Sequence, residues 1–168
     1  MSKVRVFLGG YINYTNAQNL NCRAIAEHLD KENFQVFSLT THFGKKENFN
    51  IQTFYCFKPF SISKHIGFLW SILRCDIAYL PKHVDTPIWV LRLARILKKP
   101  IFTTIEGNVL DTSLPNLLQL FGSERKTKKH FSFINKIFGI TNFIKINTCS
   151  FIQMQERILQ LGVDVENV

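Results

Sequence analysis

The sequence predicts an α/β domain: a doubly wound, mostly parallel sheet of about six strands, ordered 3-2-1-4-5-6, with helices on both faces. Three observations lead there. Short apolar runs of strand character alternate with segments whose apolar residues recur at helical spacing. The runs are short and apolar enough to be covered on both faces, as parallel strands are. The 168 residues match the length of one domain. Right-handed crossovers then wind the chain outward from strand one in both directions.

Each element has its own warrant. Lys3 to Leu8 is strand one, closed by a Gly9-Gly10 turn. Thr15-x-x-Gln18 forms a capping box, and Cys22, Ile25, Ala26 and Leu29 make the stripe of the helix behind it. Phe34 to Thr40 is strand two; Ile51 to Cys56, after a polar loop, is strand three. Ser63 caps a helix whose apolar stripe is Ile66, Leu69, Trp70 and Leu73, with Phe68 and Ile72 beside it. Asp76 to Leu80 is strand four. Thr86-Pro87 starts a helix over Ile88 to Leu97, with Arg92 and Arg95 as its wet edge, and Lys98-Lys99-Pro100 stops it. Ile101 to Thr104 is strand five, and Glu106 to Glu124 shows no clear period. Lys126 to Phe138 reads as a helix and Phe143 to Asn147 as strand six. Ser150-x-x-Gln153 caps a last helix with Phe151, Met154, Ile158 and Leu161 on one face, ended by Gly162.

Composition narrows the function. Lys and Arg number 21 against 12 Asp and Glu, a net charge of +9. Such an excess suits nucleic acid, anionic lipid or phosphorylated small molecules, or else a basic surface that is merely solvated. No 18-residue uncharged apolar run occurs, and the first residues are too short and strand-like for a signal peptide, so a cytosolic protein is expected. Cys22, Cys56, Cys75 and Cys149 lack metal spacing and read as small core hydrophobes. No bound metal is expected.

In a doubly wound sheet, ligands sit beyond the carboxyl ends of the strands, where the order reverses between strands one and four. That rule selects Gly9 to Asn16, Pro81 to Asp85, and Ile105 to Asp111. The third glycine of a dinucleotide fingerprint and the acid after strand two are both missing, which disfavours NAD; no phosphate-binding G-x-x-x-x-G-K-[ST] loop occurs either. What remains is Gly9-Gly10 before an Asn-rich helix start. Glycines admit a ligand close to backbone N–H groups, and Asn13 and Asn16 offer amides suited to sugar hydroxyls. An ordinary βα turn with surface asparagines fits equally well. Lys82 suits a phosphate as a point charge, and His83 can accept a proton. Glu106 can bind a sugar hydroxyl or help deprotonate an acceptor, with Asn108 beside it. Solvated loop residues are the alternative for Lys82 and His83, and a loop carboxylate capping nearby N–H groups is the alternative for Glu106. His28, His42, His65 and His130 are expected at the surface.

The opening "VRVFLGGYINYTNAQNLNCRAIAEHLDKENFQVFSLT" resembles the start of a family-4 glycosyltransferase of the GT-B fold. "CDIAYLP" is similar to that family's fourth strand, and "KKPIFTTIEGNVLD" to its fifth strand and cleft loop. "NTCSFIQMQERILQLGVDVENV" is similar to the last helix of its acceptor domain, running into the hinge. The resemblance implies a Rossmann-like acceptor-binding domain over residues 1–162, with a hinge beginning at 163–168. It implies a second domain, outside this chain, that carries the nucleotide-sugar donor and a Glu-x7-Glu motif. A truncated enzyme, inactive alone, is the expectation. At Glu106, where many relatives have histidine, the chain departs from the pattern. The implied reaction is a retaining transfer to a cell-surface glycan or lipid-linked acceptor, as in polysaccharide biosynthesis, with no obligatory protein nucleophile. No cofactor is expected on this domain.

Lys126, Lys128, Lys129 and Lys136 surround Phe131, Ile134 and Phe138, and on a helical wheel Lys129 and Lys136 lie opposite that apolar trio. A basic amphipathic helix suits an anionic membrane surface; the apolar trio itself reads better as core packing, and the lysine face can bind a membrane even so. The helix bearing Ile66, Leu69 and Trp70 is a second candidate anchor. Two other classes compete. One is a stand-alone Rossmann-like module for a phosphorylated metabolite. The other is a nucleic-acid-binding module, disfavoured because the aromatics fall on core stripes.

Overall fold

The computed structural model describes residues 2–106, 117–139 and 158–160. Its elements are β1 (Val4–Tyr11), α1 (Ala17–His28), β2 (Phe34–Thr41), β3 (Gln52–Cys56), α2 (Phe60–Arg74), β4 (Ile77–Tyr79), α3 (Ile88–Ile96), β5 (Ile101–Ile105), α4 (Leu117–Phe121), α5 (Glu124–Phe131), β6 (Lys136–Gly139) and β7 (Ile158–Gln160). The strand order is β3-β2-β1-β4-β5-β6-β7, which is the predicted 3-2-1-4-5-6 with one strand added. The chain divides into two compact units, Met1–Ile101 and Phe102–Val168.

In the first unit, parallel pairing joins β1 to β2, β1 to β4 and β2 to β3. Alternation along β1 sends Val6 and Leu8 to one face, where they pack with Val36, Cys22 and Ala26 under α1. Phe7 and Phe37 point the other way, against Phe68 and Trp70 of α2 at ring separations of 5.8 and 5.7 Å. Both faces are therefore covered, and Phe7, Leu8, Phe68 and Ile72 are fully buried. Burial pushes the Cys56 and Cys75 thiols up to about 12 and about 11, which suits core packing and not nucleophilic use.

Several boundaries differ from expectation. Strand one does not end at Leu8. It runs on to Tyr11, and Gly9-Gly10 form a two-residue bulge: Leu8 pairs with Ser38, and the next partner, Leu39, pairs with Tyr11. The buried Ser38 hydroxyl bridges the bulge, lying 3.0 Å from the Leu8 carbonyl and 3.1 Å from that of Gly10. Helix α1 is capped by Asn16, whose Oδ1 accepts from Asn19 N at 2.8 Å; Thr15 does not cap it. Helix α2 starts three residues before Ser63, whose hydroxyl donates inward to Phe57 O at 2.6 Å.

The largest correction concerns which face of α2 is inside. Its buried residues are Ser63, Gly67, Phe68, Ser71 and Ile72, whereas Ile66, Leu69 and Leu73 are 44%, 40% and 53% exposed. Small residues decide this. A methyl at Gly67 would stand 2.8 Å from Phe54 and 3.0 Å from Leu39, so the helix lies on the sheet through its Ser63–Gly67–Ser71 line. Helix α3 buries Val90, Leu91 and Ala94, and leaves Ile88 and Ile96 outside together with Arg92 and Arg95. Lys99 stops α3 as expected, but its ammonium serves α2, donating to the carbonyls of Ile72, Leu73 and Cys75 at 2.7, 3.0 and 2.6 Å.

Arg5 holds Asp76 through two side-chain bonds, of 3.1 and 2.6 Å, and through its own backbone N–H at 2.9 Å. These hydrogen bonds bring the Asp76 carboxyl down to about 2. Its pKa is lower folded than unfolded, so the pair contributes above the unfolded value of about 4 and is lost as pH falls through about 2. Both side chains are more than a third exposed, so the contribution is modest. Asp76→Asn is expected to lower the melting temperature near neutral pH by a few degrees and to narrow that deficit near pH 2, read by circular dichroism melts.

In the second unit, β6 pairs in parallel with β5 and β7. The predicted helix over Lys126 to Phe138 is instead α5, ending at Phe131, followed by β6 from Lys136. Ser123 caps α5, after Gly122 turns the chain at a φ of +73°. Phe131, Ile134 and Ile137 are buried. His130 is buried too, packed on Phe121 at 4.8 Å, so it is not a surface residue. Residues 158–160 form β7 where a helix was expected. The predicted strand at Phe143–Asn147, the Ser150 capping box and Cys149 lie outside the described residues.

Candidate functional site

The first unit brings together most of the selected residues at the carboxyl ends of β1, β2 and β4. The β1 bulge sets their positions. A methyl at Gly10 would sit 2.7 Å from Cys22 Sγ and 3.2 Å from Asn19 Oδ1, and one at Gly9 would strike the Leu80 side chain. The two glycines thus let α1 and the segment after β4 close against the strand.

Asn13 is a latch. Its Nδ2 donates to Thr41 O at 2.8 Å and Lys45 O at 3.2 Å, and its Oδ1 accepts from Thr41 N at 2.8 Å. Lys45 N donates in turn to Asn13 O at 2.8 Å. The buried amide therefore joins the loop after β1 to the loop after β2, and Gly44 leaves no room for a side chain over it. Asn16 is engaged in capping α1.

Tyr11 lies at the end of β1, 3% exposed. Its backbone N–H donates to Asn19 Oδ1 at 2.8 Å, while its buried hydroxyl has no hydrogen-bond partner among the described residues. Burial, and secondarily the charge of Asp85, raises its pKa, so the phenol stays protonated and able to donate. The Lys82 ammonium lies 4.9 Å from the ring centroid and pairs with Asp85 at 2.9 Å. Lys82 is itself held by its loop, since Thr86 Oγ1 donates to Lys82 O at 2.7 Å. His83, next in sequence, is buried.

An aromatic cluster borders these residues, and sequence reading missed it. Tyr11 and Phe43 each pack on Phe60, at 5.5 and 5.2 Å, and Tyr14 packs on Phe43 at 5.4 Å. Tyr14 and Phe43 remain 45% and 51% exposed. His42, expected at the surface, is half-buried in this cluster, its Nδ1 within 3.2 Å of Cys56 O. His65 is also half-buried and takes a hydrogen bond from Trp89 Nε1 at 3.1 Å; His28 is exposed. The signal for the cluster was the Thr41-His42-Phe43-Gly44 run directly after strand two.

In the second unit, Glu106 directly follows β5 and is half-buried. Asn108 lies outside the described residues. Lys126 and Lys129 are exposed on α5, and Lys128 pairs with Glu124 at 2.6 Å. Lys136 stands on β6, half-buried, and so does not share the helical face expected of it.

No family model matches the sequence, and no curated protein sequence does either. Solved structures do match. The UDP-GlcNAc 2-epimerase from Methanocaldococcus jannaschii superposes with a TM-score of 0.61 at 15% identity, over 96% of this chain and 45% of that one. A putative UDP-N-acetylglucosamine 2-epimerase from Listeria monocytogenes gives 0.60 at 13% identity, over 94% of this chain and 45% of that one. The chain thus spans less than half the length of either structure. At these identities the likeness establishes the fold, a GT-B-like Rossmann domain.

Proposed function

We propose that this chain is the acceptor-binding half of a retaining glycosyltransferase that moves a sugar from a nucleotide-sugar donor to a cell-surface glycan or lipid-linked acceptor. The observation that carries the reading is the pairing of Tyr11 with Lys82 at the carboxyl ends of β1 and β4. There the Lys82 ammonium lies over the Tyr11 ring, and the buried Tyr11 hydroxyl has no hydrogen-bond partner among the described residues. A cation beside a protonated phenol suits a phosphate or a sugar hydroxyl. The half-exposed rings of Phe43 and Tyr14 offer apolar surface to the C–H face of a sugar ring. In this reading His83 is the candidate proton acceptor of the first unit, where Gly9, Gly10, Asn13 and Asn16 shape the wall, and Glu106 is a separate candidate base carried by the second unit. The nucleotide-sugar donor belongs to a second domain, and turnover needs both halves.

The structural neighbours, both described as UDP-GlcNAc 2-epimerases, favour a second reading, half of a sugar-nucleotide epimerase. One assay separates the two. The chain joined to its donor-binding half is incubated with labelled nucleotide sugars, with and without lipid-linked acceptor. Transfer is expected to release nucleoside diphosphate only when acceptor is present, and Glu106→Gln to lower kcat by roughly 10²–10⁴-fold. A new sugar nucleotide formed without acceptor would replace the transfer reading with epimerisation.

A further inference from the structure

The outward face of α2 has no cover within its own unit. Ile62, Ile66, Leu69 and Leu73, spaced at four, three and four residues, form one ridge and are 58%, 44%, 40% and 53% exposed. Helix α3 packs beside α2, tied to it by the Trp89–His65 bond, and adds Ile88, Ile96 and Leu97 at 37%, 75% and 39%. Single exposed apolar residues are ordinary, but a ridge of this length along one helix needs a partner. No helix among the described residues is long and apolar enough to cross a membrane.

Charge identifies the partner. Between Phe57 and Lys99 the chain carries eight Lys and Arg and two acids. Both acids are already paired, Asp76 with Arg5 and Asp85 with Lys82. Neither α2 nor α3 contains an acid. Lys58, Arg74, Arg92 and Lys98, on or next to the two helices in sequence, are exposed, Arg74 lying over the Trp70 ring at 4.8 Å. A second copy of the chain would bring the same positive rim against itself. The α5 lysines lack a comparable ridge, because Phe131 and Ile134 beside them are buried.

We propose that the α2–α3 face docks on an anionic lipid bilayer, the ridge entering the headgroup boundary and the cations binding lipid phosphates. The face works without any catalytic step, so its test needs no turnover. The 168-residue chain is sedimented with vesicles of phosphatidylcholine alone or with about one-third phosphatidylglycerol. Binding is expected to the anionic vesicles only, and to weaken as salt rises. Ile66→Ser, Leu69→Ser and Leu73→Ser together are expected to weaken it by about tenfold or more with the fold intact by circular dichroism. Arg74→Glu or Arg92→Glu should each weaken it by about fivefold or more. Lys126→Glu with Lys129→Glu should leave the α2–α3 contact in place, with binding lowered less than by either arginine variant. Absence of wild-type binding, equal binding by the triple variant, or loss through the α5 lysines would each overturn the proposal. So would a wild-type dimer that the triple variant dissolves while neither sediments with lipid; the face would then join two copies.

Discussion

Phe68→Ala is expected to destabilise the protein by about 3–5 kcal/mol, whereas Leu69→Ala, one residue along the same helix, should change stability by about 1 kcal/mol or less. Phe68 is fully buried and meets the edge of Phe7 at 5.8 Å, so its removal leaves a cavity between helix and sheet. Polar groups cannot fill that space, and Gly67 next to it already brings the backbone close to Phe54 and Leu39. Leu69 is 40% exposed, and truncating it removes little contact. Chemical unfolding of the two variants measures the difference. Equal losses would mean that α2 presents its bulky stripe to the sheet, and the docking ridge would not exist.

Asn13→Ala is expected to cost about 2–4 kcal/mol. The substitution leaves Thr41 N, Thr41 O and Lys45 O without the amide that satisfies them, and Thr41 is 1% exposed. Unsatisfied buried backbone groups lose their full hydration, which outweighs the modest gain from a formed hydrogen bond. Asn13→Asp keeps the acceptor for Thr41 N but turns a carboxylate toward two carbonyls, so it too should destabilise, and less so in acid where it is protonated. The local signature is faster amide exchange at Thr41 and Lys45, the donors that Asn13 receives. Unchanged protection there would show that the two loops hold without the latch. Because Tyr14 and Phe43 follow these anchor points, the same variant should loosen the proposed sugar platform.

What sequence reading recovered follows from where bulk apolar residues decide the outcome. Strands such as Phe34–Thr41 are covered on both faces, so their apolar runs announce them directly. The order of strands followed from connection rules, which need no side-chain detail. The α2 error has the opposite origin. Periodicity weights Ile66, Leu69 and Leu73, but close approach is set by Ser63, Gly67 and Ser71, which a hydrophobic stripe search discounts. The Lys126–Phe138 segment failed because Phe131, Ile134 and Phe138 keep a helical spacing by coincidence across Ser132–Asn135, where the chain leaves α5 for β6. At the site, the residue types were legible and their roles were not. Asn13 reads as a ligand amide until its partners, twenty-eight and thirty-two positions away, are seen.

The bulge in β1 gives this stretch of chain a parity. Side chains alternate between the sheet's faces, so every residue's side is fixed by an even or odd count from the strand's start. Two glycines, not one, interrupt the ladder between Leu8 and Tyr11. An even insertion conserves the alternation; an odd one inverts everything after it. Losing a single glycine would therefore turn Tyr11 away from Phe60 and Lys82 and carry Ile12 out of its packing. Losing both would keep the sides and shorten the reach by two residues. In a lineage of such domains, length change at this point should come in pairs, and the loop after β1 should vary in reach while the tyrosine keeps its face.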